Sequence, residues 1–240
     1  MSEIKYIITD LDDTLVDDTA NHRGAFEYVL KELGIPYQEK LFQEWLEFDS
    51  YYWHEYFKTL KVPEEFIVSG EAQAEWQRGM RFQTFFKREL EPIKMQEIFK
   101  EGLKKNIIAL PGVVEALKEI STYYPIYVST NGDSIIAHEK IERIGATDYI
   151  SSIFSADMTN PPSNKSELDF YRQLMKRIGA EYPSECLMIG DKYRDDVIMP
   201  NKAGLKTCWI NKEKKDGLIC DYQLASFAEL PKILKRTNFH

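Results

Sequence analysis

Residues 4–9, Ile-Lys-Tyr-Ile-Ile-Thr, are mostly β-branched or aromatic and run straight into Asp10-Leu11-Asp12-Asp13-Thr14. A run of this kind reads as a buried strand. Its carboxyl end therefore carries an acidic cluster. That junction constrains the whole chain, because carboxylates gathered at a strand end repel one another unless a cation sits among them.

The remaining sequence has two textures. From Gly34 to about residue 105 no strand pattern emerges. Amphipathic stretches succeed one another, broken near Gly34-Ile35-Pro36, Val62-Pro63 and Gly70. Before them, Phe26, Val29, Leu30 and Leu33 share one face of a helix over 22–33. After Pro111-Gly112 strands and helices alternate. Strands are predicted at 125–130, 151–155, 186–189 and 206–210, with helices at 112–122, 134–144, 166–179, 195–203 and 224–236. Alternation of this kind implies parallel pairing, since parallel neighbours need crossovers. The expected fold class is therefore α/β: a Rossmann-like doubly wound parallel sheet with an inserted all-helical domain. The predicted core is 1–16 with 106–240, and the predicted insert is 17–105.

Polar clusters lie just past four strand ends. They are Asp10-Leu11-Asp12-Asp13-Thr14, Ser129-Thr130-Asn131-Gly132, Lys165, and Gly190-Asp191 with Asp195 and Asp196. Open α/β sheets bind ligands outside the carboxyl ends of their strands, so these clusters should converge on one crevice. Hard oxygen donors there favour Mg²⁺. Phosphoryl transfer needs a nucleophile in line with the leaving oxygen, cationic and hydrogen-bonding groups around the phosphoryl oxygens, and an acid for the leaving group. A carboxylate can be that nucleophile. Asp10 and Asp12, two positions apart, suit attack and proton transfer, with Asp12 the one farther from a metal. Asp13, Asp17 and Asp18 are demanded by no role and read as solvated or helix-capping carboxylates.

These residues resemble the haloacid dehalogenase superfamily over nearly the whole chain. Asp10-Leu11-Asp12-Asp13-Thr14 looks like its DxDxT motif, and Thr130 with Asn131-Gly132 looks like its second motif. Lys165 looks like the third. Gly190-Asp191 through Asp196 looks like GDxxxxD, with Asp195 beside the matching Asp196. The resemblance implies a Mg²⁺-dependent phosphomonoester hydrolase acting through an aspartyl phosphate. Asp10, Asp191 and the Asp12 carbonyl would hold the metal. Asp12 would be the acid/base, and Leu11, Asp12, Thr130, Asn131, Gly132 and Lys165 would hold the phosphate. The third motif departs from the family pattern, reading Asn164-Lys165-Ser166-Glu167. Lys165 is assigned by order, by the helix just after it, and as the only lysine between 141 and 175. Similar phosphomutases share these motifs. A dehalogenase needs neither Asp12 nor a metal. A phosphonatase would need a cap lysine, for which Lys58 and Lys61 have no supporting context. A non-catalytic binding module would have lost a catalytic group.

Within this family the insert is similar to a helical C1 cap. Aromatic residues, 13% of the chain, crowd its sequence. Most must pack, but Trp53, Tyr56, Arg81 and Phe85 are candidates for substrate contact. Lys206-Thr207-Cys208-Trp209-Ile210-Asn211 and Ile126-Tyr127-Val128-Ser129-Thr130-Asn131-Gly132 are similar to the branch containing bacterial pyrimidine 5′-nucleotidases, which implies a nucleoside monophosphate or another small phosphorylated metabolite as partner. A net charge of −8 argues against a nucleic-acid polymer. Three cysteines without close spacing read as reduced thiols. No apolar run reaches membrane-spanning length and no signal-peptide pattern opens the chain, so a cytoplasmic monomer or homodimer is expected.

Overall fold

The computed structural model describes residues 3–212 and 219–237. The chain divides into two compact units, one formed by Met1–Asp18 with Ile107–His240 and the other by Thr19–Asn106. In chain order the main elements are β1 (Tyr6–Thr9), α1 (Asp18–Glu32), α2 (Glu39–His54), α3 (Gly70–Phe86), α4 (Pro92–Lys105), α5 (Val113–Ser121), β2 (Ile126–Thr130), α6 (Ser134–Arg143), β3 (Ser152–Ser155), α7 (Leu168–Ile178), β4 (Cys186–Gly190), α8 (Met199–Lys202), β5 (Lys206–Ile210), β6 (Tyr222–Leu224) and α9 (Leu230–Thr237).

The first unit is a parallel six-stranded sheet in the order β3-β2-β1-β4-β5-β6. This is the α/β doubly wound class that the alternating pattern predicts. β1 lies at its middle, and the chain's direction across the sheet reverses beside it, where such sheets open a crevice. Side chains alternate faces with the period of two that a strand imposes. Ile7, Ile126, Val128, Leu187 and Ile189 pack under α5, α6 and α9. Ile8, Cys186 and Met188 pack on the other face with Phe170, Tyr171 and Leu174 of α7.

Two predicted stretches differ in detail. Residues 222–224 form an edge strand, and the last helix begins only at Leu230, after a 3₁₀ turn over Phe227–Glu229. Three residues that read Tyr-Gln-Leu are too short to show a period. The expected helix over 195–203 is a π-helical turn, Tyr193–Ile198, joined to the short α8.

The second unit is helical, built from α2, α3, α4 and most of α1 around Phe26, Phe42, Trp45, Phe82 and Phe99. Each large apolar side chain buried there stabilises by about 1.5–3 kcal/mol. Trp45 stacks on Phe82 with centroids 4.8 Å apart and on Phe26 at 5.1 Å. A Cβ at Gly79 would lie 1.9 Å from the Pro92 carbonyl oxygen, so only glycine permits this approach of α3 to the start of α4.

Candidate active site

The site is built from strand ends. Asp10 comes directly after β1, and its amide donates to the Ile189 carbonyl of β4 (2.8 Å), so the sheet ladder itself fixes where the nucleophile candidate sits. The chain then leaves the extended state. Asp13 takes a left-handed conformation (φ 59°), and the Leu11 carbonyl accepts from Leu15 and Val16. Leu11 is buried in the sheet core, which confines any phosphate contact to its main-chain N–H.

Asp10, Asp12, Thr130, Asn131, Gly132 and Lys165 line one cavity of about 540 Å³, together with Ser166 and residues 192–195. The Lys165 ammonium, 2% exposed, donates to Asp10 Oδ1 and lies 2.5 Å from Asp196 Oδ1. Oxygen atoms of Asp10, Asp191 and Asp196 lie within 4.8 Å of one another. Of the two neighbouring carboxylates in the fourth motif, Asp196 is the buried member of this trio. Asp195 instead accepts from Asn131 Nδ2 at 3.2 Å. Gly190 makes room for this: a Cβ there would lie 2.2 Å from Asp196 Oδ2.

Electrostatics reflect this crowding. Burial pushes the Asp10 carboxyl well above the usual carboxylate range against the pull of Lys165, and Asp196 and Asp12 add to the rise. Burial alone would lower Lys165, but Asp10 and Asp196 together outweigh it and raise the ammonium well above its ordinary value, so it is charged. Two carboxylates thus share one buried ammonium, and a third, Asp191, has an oxygen within 4.8 Å of theirs. The buried Asp191 Oδ1 has no hydrogen-bond partner among the described residues, while its Oδ2 lies 3.1 Å from the exposed Lys192. Surplus negative charge on hard oxygens, with one oxygen unsatisfied, fits a divalent cation of the Mg²⁺ type.

Asn131 does more than the sequence pattern suggests. Its Oδ1 accepts from the Lys165 amide (2.8 Å) while its Nδ2 reaches Asp195, so one amide holds the third and fourth motifs together. Thr130 is buried with its Oγ1 accepting from the Gly132 amide (3.0 Å). Trp209 Nε1 donates to the Asp191 carbonyl (3.0 Å) and secures that loop from β5.

Two sets of residues depart from expectation. Asp18 is neither a plain helix cap nor solvated: its Oδ1 accepts from Lys140 (2.9 Å), which also bonds Asp12 Oδ1 (2.5 Å). In the helical unit Arg81 is 5% exposed. Three of its five N–H donors are engaged inside the unit, by Asp49 (2.7 Å), Gln96 (3.3 Å) and the Arg78 carbonyl (2.9 Å). Phe85 is half-buried against Trp45 and Phe48, and Trp53 and Tyr56 are half-buried beside Tyr52.

A parallel α/β sheet with an acid-rich crevice at its carboxyl edge is suited to hold a divalent cation and an anionic ligand. The model of the haloacid dehalogenase-like hydrolases matches residues 4–204, and the chain belongs to that family. Pyrimidine 5′-nucleotidase YjjG of Escherichia coli K12 is 30% identical over 159 residues, covering 64% of this chain and 69% of that protein. Pyrimidine 5′-nucleotidase PynA of Streptococcus pneumoniae is 24% identical over 208 residues, covering 86% of this chain and 84% of its own. The structure of YfnB from Bacillus subtilis bound to magnesium superposes with a TM-score of 0.79 at 19% identity, covering 97% of this chain and 99% of that one. No described helix is long and apolar enough to cross a membrane.

Proposed function

We propose that this hydrolase is a Mg²⁺-dependent phosphomonoesterase that attacks phosphorus with Asp10 and acts on a nucleoside 5′-monophosphate. The observation that carries the reading is the Asp10–Lys165 pair at the end of the central strand, in a cavity that Asp12 and Thr130 also line.

Asp10, Asp191 and the Asp12 carbonyl would hold the ion, with Asp196 behind them committed to Lys165 and to the Lys192 amide (2.9 Å). When bound, Mg²⁺ would offset the negative charge of the phosphoryl oxygens. Lys165 and the Thr130 hydroxyl stabilise that charge from the protein side. An Asp10 oxygen forms the new bond to phosphorus. The ester P–O bond breaks with its electron pair going to the leaving oxygen, which takes a proton from Asp12. Water then attacks the aspartyl phosphate, Asp12 takes the water proton, and the Asp10–phosphorus bond breaks to give inorganic phosphate.

Two relatives named as pyrimidine 5′-nucleotidases support the nucleotide substrate. The test is hydrolysis of uridine 5′-monophosphate and para-nitrophenyl phosphate with and without Mg²⁺. Asp10→Asn is expected to lose at least about 10⁴-fold in turnover on both. Full turnover by that variant would overturn the nucleophile assignment. A preference for sugar phosphates over nucleotides would overturn the substrate alone.

A further inference from the structure

Helix α6 buries Ala137, Lys140 and Ile141, a stripe three and four positions apart that faces the sheet. Ala137 and Ile141 join the apolar core. Lys140 occupies the same stripe yet carries a charge, and it is 7% exposed. Its ammonium does not turn back to solvent as lysines usually do. It bonds Asp12 Oδ1 at 2.5 Å and Asp18 Oδ1 at 2.9 Å. While so bound, Asp12 still lines the cavity that holds Asp10, Thr130 and Lys165. The pair therefore coexists with a cavity-facing Asp12.

We propose that Lys140 is the positioning residue for the acid/base Asp12: anchored by Asp18 and by the buried stripe of α6, it fixes the direction in which the Asp12 carboxyl group meets the leaving oxygen. This rests on the proposed phosphomonoesterase reading. The physical reason is angular. A carboxylate next to a left-handed residue, Asp13, on a turn after a strand can rotate about two side-chain bonds. Engaging one of its oxygens with a buried ammonium sets the plane of the group and so the aim of the other oxygen. Proton transfer needs that aim held to within hydrogen-bond reach of the acceptor. Lys140 itself is not among the residues that line the cavity.

The test uses leaving groups of different need. An alkoxide leaves only if protonated, whereas a dinitrophenolate leaves without help. The ratio kcat/KM reports steps through formation of the aspartyl phosphate, so later water attack does not mask the difference. Lys140→Met is expected to lower kcat/KM for uridine 5′-monophosphate by about 10- to 100-fold while changing that for 2,4-dinitrophenyl phosphate by less than about threefold. The second substrate also reports that the variant is folded. Asp18→Asn, which removes only the outer anchor, should show the same selectivity at a loss of about two- to fivefold, and it carries the test should Lys140→Met fail to fold. Equal losses on both esters, no loss on either, or a gain on the nucleotide would overturn the positioning role. A wild-type protein that hydrolyses neither ester would instead overturn the phosphomonoesterase reading, and this inference with it.

Discussion

The helical unit buries Arg81 and the sheet unit buries Lys165, and these two cations are satisfied in opposite ways. Arg81 of the helical unit is matched in charge. Asp49, Gln96 and a main-chain carbonyl take three of its five N–H donors, and the rings of Phe99, Phe82 and Trp45 lie 4.7, 5.1 and 5.5 Å from its guanidinium carbon. One carboxylate faces one cation. Lys165 of the sheet unit is oversubscribed, with Asp10 and Asp196 both on it and Asp191 close to them with a buried oxygen that no described residue hydrogen-bonds. A group balanced by its own surroundings has no surplus charge to offer a ligand. A cluster with charge left over is costly to fold and is suited to bind. Burial does not separate the two cases. The balance of charge and hydrogen bonds does.

The sharpest way to break this contrast is to remove each cation and ask what fails. Lys165→Met should cost on the order of 10³-fold in kcat, because a donor aimed at developing charge is lost. Its remaining defect in stability should shrink on adding Mg²⁺, read as a larger rise in Tm than the wild type shows. Arg81→Met should do the reverse: about 3 kcal/mol of stability lost, seen in urea unfolding, because Asp49 is left without its cation, and kcat on para-nitrophenyl phosphate within about twofold of wild type. If Arg81→Met removed activity while stability held, the matched and oversubscribed cations would no longer be different in kind.

A finer probe lies on the surface of the helical unit. Glu75 is half-buried between Arg78 (2.7 Å) and Lys100 (2.6 Å). Burial would raise its carboxyl, but hydrogen bonds and charges from Lys100 and Arg78 together lower it below the ordinary value of 4.5. A carboxyl depressed in the folded state contributes stability that is fully present above the unfolded value and is lost as pH falls through the folded one. Glu75→Gln should therefore cost less than about 1 kcal/mol at pH 7. That difference from wild type should begin to shrink below about pH 4.3, where a glutamate in an unfolded chain titrates, and vanish only once the pH is below the folded carboxyl's own lower value. A difference that grew on acidification would show that the pair is not what sets the carboxyl.

Much of the sheet unit was legible because its signals are local. A buried strand announces itself by β-branched residues, and Asp10, Thr130 and Asp191 lie where such strands end. The residues that gather around Lys165 could be placed by their order alone. The features that escaped depend on partners far away in sequence. Nothing near Lys140 in the sequence singles it out; its partner Asp12 lies 128 positions earlier. Arg81 reads as a candidate for substrate contact, and its burial is hidden because helical periodicity says which residues share a face and not which polar ones that face will bury. The π-helical turn at Tyr193–Ile198 escaped because its spacing is close to that of an α-helix over so few residues.

The clamp around Asn131 also bears on how this protein ages. Asparagine with glycine next in the chain is the pairing most prone to deamidate, by attack of the glycine nitrogen on the asparagine side-chain carbon to close a succinimide ring. Here that nitrogen is turned toward the Thr130 hydroxyl, while both ends of the asparagine amide are held, one by the Lys165 main chain and one by Asp195. Ring closure requires all of these to let go, so the fold that builds the crevice also shields its most perishable dipeptide, and the shield lasts only as long as the chain stays folded.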